Sequence, residues 1–220
     1  MEKGSRSMTK KHLYRTVIFD LDGTLIDSKK DIAISVNRTL EALGFPQKRA
    51  EEIYDLIGEG VYRLIAGALG DHDEKVNVGI EIFRSDYQRH LLDHTVCYPG
   101  IYEVLDQLSD KFLSIITNKP KEFTIPILNR LGLVHHFDLI ISGDDGWPKK
   151  PAPDSIYEVM NRSKKLPSET INIGDHFTDI LAGKNAGILT CWASYGFGKK
   201  RDLVPDMIIQ EPLDLLGLIK

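Results

Sequence analysis

Asp20 and Asp22 stand one residue apart, directly after the β-prone run Thr16-Val17-Ile18-Phe19 and directly before Gly23-Thr24. Such a run reads as a buried strand, and the C-terminal ends of strands in open α/β sheets face the ligand crevice. Two carboxylates this close repel each other unless a cation or a shared proton relieves them. The pair therefore suits metal binding, nucleophilic attack and proton transfer better than it suits a fold element. Later apolar runs end the same way: Ile115-Ile116 in Thr117-Asn118-Lys119, and Ile171-Asn172-Ile173 in Gly174-Asp175-His176-Phe177-Thr178-Asp179. Between them, Lys149-Lys150-Pro151-Ala152-Pro153-Asp154 precedes a helical pattern.

Gathered at one edge of a parallel sheet, these groups describe a phosphate site. The Thr117 hydroxyl and the backbone N–H groups around Asn118 and Gly23 suit phosphoryl oxygens, and Lys150 adds a compact positive charge. Asp20, Asp22, Asp175 and Asp179 offer the hard oxygen ligands that magnesium takes. With Asp22 protonated, three carboxylates face one lysine, a net charge that would repel a phosphate dianion. One divalent cation removes that excess. Taken singly, each cluster has an ordinary explanation as a turn, a solvated loop or a helix cap. Asp-x-Asp-Gly-Thr also mimics part of a calcium loop, but the remaining ligand positions of that loop are absent.

The elements that must hold these groups follow from periodicity. Ser28 is the expected cap, with Asp31 as a capping-box variant, of a helix built on Ile32, Val36, Leu40 and Leu43 and stopped by Gly44. Helical patterns follow at about 50–57, 61–69 and 73–92. Tyr98-Pro99-Gly100 then punctuates the chain, and strands are expected at 112–116, 139–141, 170–173, 189–193 and 207–209, with helices between them. Pro126 is expected to kink the helix of 121–131 or to delay its start to about Thr124. The alternation predicts an α/β fold, a parallel sheet flanked by helices with a helical segment inserted after the first strand. The expected organisation is a tail over 1–12, a discontinuous core over 13–27 and 97–220, and a helical cap over 28–96.

Composition narrows the function classes. The 220 residues are 42% hydrophobic, enough for a full core plus a smaller insertion, and the net charge of −4 argues against a nucleic-acid partner. Cys97 and Cys191 have no metal-site spacing and read as reduced core thiols. The basic start, with Lys3, Arg6, Lys10 and Lys11, reads as a frayed tail. No run approaches the roughly 20 apolar residues of a membrane span, and no signal peptide is recognised, so a cytoplasmic address is expected.

Phe-Asp20-Leu-Asp22-Gly-Thr-Leu, Thr117-Asn118, Lys150-Pro151 and Gly174-Asp175 with Asp179 resemble, in order, the four motifs of the haloacid dehalogenase-like superfamily, in its phosphatase branch. The flanks Leu25-Ile26-Asp27-Ser28 with Asp31-Ile32 and Asn37, then Tyr98-Pro99-Gly100, resemble phosphoglycolate phosphatases. The resemblance implies a Rossmann-like core with a mobile helical cap and a magnesium-dependent phosphatase acting on a small phosphorylated metabolite, 2-phosphoglycolate foremost. It also implies roles. Asp20 is the nucleophile that forms an aspartyl phosphate, and Asp22 is the acid and base. Gly23, Thr117, Asn118 and Lys150 bind the phosphoryl group. Asp20, Asp175 and the backbone carbonyl of Asp22 hold the metal, with Asp179 in support. His176 departs from the pattern, where a small hydroxyl residue is usual; a tolerated change near the metal site is the expectation.

Other readings use the same motifs. A β-phosphoglucomutase-like phosphosugar mutase carries a histidine where this chain has Ile32. Dehalogenases lack the aspartate matching Asp22. A pyrophosphatase, a nucleotidase or a non-catalytic phospho-ligand sensor on the same fold are further alternatives. Lys29, Lys30 and Arg63 are the candidate partners for a substrate carboxylate, and Tyr54, Tyr62, Phe83 and Tyr87 read as core of the inserted bundle.

Overall fold

The computed structural model describes residues 14–219; the expected tail over 1–12 lies outside them. Strand β1 (Thr16–Phe19) is fully buried along its length. Its side chains alternate between two apolar layers. Val17 and Phe19 enter one with Val104, Leu105, Ile127 and Leu215, and Ile18 enters the other with Ile156, Val159 and Ala182. Each such side chain contributes about 1.5–3 kcal/mol by leaving water. A strand buried on both faces needs helices on both faces, and the sequence supplies them. The first layer holds α5 (Ile101–Gln107), α6 (Lys121–Arg130) and α9 (Leu215–Leu218), and the second holds α7 (Asp154–Ser163) and α8 (Phe177–Ala186).

The sheet runs β5 (Leu139–Ile141), β4 (Phe112–Ile116), β1, β6 (Thr170–Gly174), β7 (Leu189–Ala193), β8 (Met207–Ile209), with every neighbouring pair parallel. The chain moves from β1 outward to β4 and β5, then returns to the opposite side of β1 with β6. That reversal is the switch point at which α/β sheets open their crevice. Phe19 is in register with Ile115 on one side and Ile173 on the other. Adjacent strands lie about 4.8 Å apart, so the residues following β4, β1 and β6 are side by side.

The expected insertion lies between two short strands that sequence periodicity does not reveal, β2 (Ile26–Asp27) and β3 (Val96–Cys97). They pair antiparallel, Ile26 with Cys97 and Asp27 with Val96, and so bring both ends of the helical segment together. Two residues per strand are too few to show a period. Between them run α1 (Lys29–Ala42), α2 (Ala50–Tyr54), α3 (Val61–Leu69) and α4 (Val76–Tyr87). The patterns over 50–57 and 73–92 are shorter as helices than periodicity suggests, the second opening with a 3₁₀ turn at Asp73–Lys75.

Gly44 ends α1 as expected: at φ +79° it lets its own N–H reach Glu41 O and the Phe45 N–H reach Leu40 O. The start differs. Ser28 is the residue before α1, but its hydroxyl makes no cap, and Asp31 does not reach back. Instead Asp31 Oδ2 accepts from the His94 and Thr95 N–H groups and from Thr95 Oγ1 at 2.7–2.9 Å. It fastens the start of α1 to the segment that leads into β3. Helix α6 also differs, starting at Lys121 and running through Pro126; Pro126 removes only the bond to Glu122 O, at an exposed position near the helix start. Of the two cysteines, both free, Cys191 is buried as expected, whereas Cys97 on the narrow β2–β3 ribbon is partly exposed. Among the described residues no helix is long and apolar enough to cross a membrane.

Removing the Asp31 acceptor leaves amide N–H groups without their partner, one of them on the buried Thr95. Asp31→Ala is therefore expected to cost about 2–4 kcal/mol in urea unfolding, and Asp31→Asn less. An unchanged midpoint for Asp31→Ala would show that this tie contributes nothing.

Candidate active site

The strand ends converge as the motifs require. Asp20 leaves β1 with its N–H on Ile173 O at 2.9 Å. Lys150, from the loop before α7, is almost fully buried, and its Nζ meets Asp20 Oδ1 at 2.8 Å, Asp179 Oδ1 at 2.6 Å and Ile116 O at 2.6 Å. Burial alone works against this ammonium, but Asp179 and Asp20 hold its pKa above the usual lysine value. Asp179 lies in the first turn of α8, and its second oxygen accepts the His176 N–H at 3.0 Å.

Asp175 follows β6 and is packed by two loops. A Cβ on Gly23 would lie 1.9 Å from Asp175 Oδ2, and one on Gly196 would lie 2.3 Å from Asp175 Cβ. Gly23 also adopts φ +84°, so only glycine fits there on both counts. The Gly198 N–H donates to Asp175 Oδ2 at 2.6 Å, and Trp192 Nε1 donates to the Asp175 carbonyl at 2.8 Å.

One oxygen from each of Asp20, Asp175 and Asp179 lies within 4.8 Å of the others. Burial first, then the charges of Asp20 and Asp179, pushes the Asp175 carboxyl well above the ordinary range. Burial likewise lifts Asp20, to about 6, although Lys150 pulls it back. A hard-oxygen donor set with too little positive charge nearby fits a hard divalent cation. Of the four carboxylates singled out in the sequence, Asp22 stands outside this side-chain set. Its Oδ1 accepts from Ser28 Oγ and from Lys119 Nζ, the latter at 2.8 Å, with Lys119 3.1 Å from Oδ2.

One phosphoryl-binding assignment looks different in three dimensions. The Gly23 N–H is engaged by Ile26 O at 2.8 Å, so it is not free for a phosphoryl oxygen; the residue serves the close approach of Asp175. The Asn118 side chain binds backbone: Nδ2 donates to Gly58 O at 2.8 Å and Lys150 O at 3.0 Å, and Oδ1 accepts the Lys150 N–H at 2.9 Å. Thr117 Oγ1 accepts the Lys119 N–H at 3.1 Å, which leaves its O–H able to donate.

Sequence reasoning quoted Lys119 but gave it no role. Its Nζ is buried between Asp22 and Tyr87 of α4, reaching the Tyr87 hydroxyl at 2.8 Å. Gly196 and Gly198 were missed as well; the signal was a glycine pair just after a strand. His176 closes the start of α8 with Nδ1 2.9 Å from Thr178 Oγ1, and burial lowers its pKa to about 4, so it is a neutral imidazole near pH 7.

The insertion is seated over this edge. Phe83 and Tyr87 pack on Phe123 of α6 at ring distances of 6.2 and 5.0 Å. Lys199 pairs with Asp55 at 2.6 Å, and Arg84 with Glu122 at 3.1 Å. Beneath lies a cavity of about 50 Å³ bounded by Asp20, Asp22, Thr117 and Lys119 below and by Ile57, Val61, Leu64 and Phe83 above. Lys29, Lys30 and Arg63 do not line it; Lys30 and Arg63 are exposed, and Lys29 pairs with Asp27 at 3.1 Å. Tyr62, expected in the bundle core, is also exposed, because it points away from the helices that α3 packs against.

A switch-point crevice lined by buried carboxylates and a lysine, under a helical cap, defines a Rossmann-like α/β enzyme. Residues 17–193 match the model of the haloacid dehalogenase-like hydrolase family, and the chain belongs to that family. It is 37% identical over 207 residues to a phosphoglycolate phosphatase of Aquifex aeolicus, covering 93% of this chain and 96% of the relative. It is 34% identical over 221 residues to one of Chromobacterium violaceum, covering 97% and 99%. Among solved structures, a protein of Haemophilus somnus 129PT described as a predicted phosphoglycolate phosphatase superposes with a TM-score of 0.87 at 27% identity, covering 93% and 97%.

The raised carboxyls make a prediction about the metal-free protein. A carboxyl whose folded pKa exceeds its unfolded value of about 3.9 stabilises fully below that pH and loses its contribution as pH rises through the folded value, about 6 for Asp20. Replacing one charge by an amide should therefore help. At pH 8 in chelator, Asp175→Asn is expected to melt a few degrees above wild type, at about 2–4 °C per kcal/mol, and added magnesium should no longer raise its Tm. A lower Tm in chelator would contradict this electrostatic account.

Proposed function

We propose that this phosphatase hydrolyses 2-phosphoglycolate, or a close small monoester, with magnesium and through a phosphorylated Asp20. The observation that carries this reading is that Asp20, held by Lys150 Nζ at 2.8 Å, and Asp22 line one small cavity. The names of the full-length relatives support the substrate.

Asp20, Asp175 and Asp179, with the Asp22 backbone carbonyl, are the groups that would hold the metal. Bound there, magnesium would neutralise charge and help align phosphate with nucleophile. Counting Asp20, Asp22, Asp175 and Asp179 against Lys119 and Lys150 leaves an excess of two negative charges, which one divalent ion cancels.

In the first step an Asp20 carboxylate oxygen attacks phosphorus, and the bond to the ester oxygen breaks. Asp22 gives its proton to the departing alkoxide. In the second step Asp22 takes a proton from water, whose oxygen attacks the phosphorus of the aspartyl phosphate and frees Asp20 and inorganic phosphate. Proton transfer of this kind contributes about 10²–10⁴-fold. Lys150 keeps Asp20 in place and offsets charge, and the Thr117 hydroxyl is a donor for a phosphoryl oxygen. The cap excludes bulk water between the two steps. Ile32 at the position where the mutases carry histidine favours hydrolysis over phosphosugar isomerisation.

Asp20→Asn is expected to abolish phosphate release from 2-phosphoglycolate while leaving the circular-dichroism spectrum and cooperative melting intact. Phosphate release at wild-type rate would remove Asp20 as nucleophile. With β-glucose 1-phosphate, free phosphate rather than glucose 6-phosphate is expected as any product; an isomerised sugar would favour the mutase reading.

A further inference from the structure

We propose that Lys119 reads a carboxylate on the carbon that bears the ester oxygen, and that Tyr87 of the cap positions it. The inference rests on the substrate class proposed above and assigns the residue that selects it. A leaving oxygen protonated by Asp22 lies about 2.6–3.2 Å from an Asp22 oxygen. Lys119 Nζ is 2.8 and 3.1 Å from those same two oxygens. A group one carbon beyond the leaving oxygen is therefore within reach of this ammonium, whereas an anion several bonds away is carried into the apolar wall of Ile57, Val61 and Leu64.

Among the described residues Lys119 is also the cation that borders the cavity. Asp22 and the Tyr87 hydroxyl hold its pKa above the usual lysine value in spite of burial. Its Nζ lies 4.9 Å from the centre of the Tyr87 ring, and the side chain is 4% exposed. In the structure the anionic partner of this ammonium is Asp22, a substrate carboxylate would offer it a second acceptor, and the cap residue Tyr87 sets its direction.

The test compares 2-phosphoglycolate with 2-hydroxyethyl phosphate, in which a hydroxymethyl group replaces the carboxylate. The readout is the ratio of their kcat/KM values in wild type, Lys119→Met, Lys119→Arg and Tyr87→Phe, each with magnesium. A lost charge-assisted contact corresponds to a fall of about 10- to 100-fold in that ratio for Lys119→Met. Partial recovery is expected in Lys119→Arg, and a smaller fall in Tyr87→Phe, whose ring still packs on Phe123. A lysine that only tunes Asp22 would slow both substrates alike and keep the ratio, which would overturn the inference while leaving the substrate reading intact. A wild-type ratio near one would overturn both. If Lys119→Met does not fold, the Tyr87→Phe ratio decides: unchanged, it sinks the positioning by the cap and with it the proposal.

Discussion

Three buried carboxylates, Asp20, Asp175 and Asp179, lie together, and the ammonium of Lys150 pairs with two of them, Asp20 and Asp179. Burying like charges together is among the most expensive arrangements a fold can hold, and one lysine does not balance it. Much of the surrounding architecture serves to make it possible. Strand β1 lies beside β6, so Asp20 and Asp175 emerge from adjacent strands, and the first turn of α8 brings in Asp179. Gly23 and Gly196 omit side chains that would collide with Asp175, and Trp192 and Gly198 fix its backbone and one carboxylate oxygen. Burial raises the pKa of Asp20 and of Asp175, a local cost that a bound divalent cation would offset.

The cap is built into the same network. Residues at and beside the second and third motifs bind the cap: Asn118 ties Gly58 of the cap to the backbone of Lys150, and Lys119 joins Asp22 to Tyr87. Opening the cap must break these bonds along with the Lys199–Asp55 and Arg84–Glu122 pairs. The exposed pairs contribute little individually, about 0–1 kcal/mol. The contacts through Asn118 and Lys119 are therefore the ones that tie the cap to Lys150 and Asp22.

Strong periodicity made most of the fold legible. The six strands of the sheet follow from apolar runs, and the motif residues lie at their ends because local sequence dictates both. What escaped was set by distant partners. Ser28 and Asp31 look like a helix cap by spacing, but Ser28 binds Asp22 in the preceding turn and Asp31 binds the amides of His94 and Thr95 across the fold. Strands β2 and β3 are too short to carry a period. Lys119 has no spacing relation to Asp22 or Tyr87, so only packing reveals their meeting. Charge on the sequence suggested Lys29, Lys30 and Arg63 for the substrate, yet helix direction carries none of them to the cavity.

The claim that the carboxylate cluster is electrostatically incomplete is tested most directly by calorimetric titration of magnesium into the metal-free protein at pH 6. Repeating it in two buffers of different ionisation enthalpy measures the protons set free. With Asp20 and Asp175 carrying raised pKa values, one magnesium per chain should bind and release protons. Binding without proton release, or no binding at all, would contradict the account.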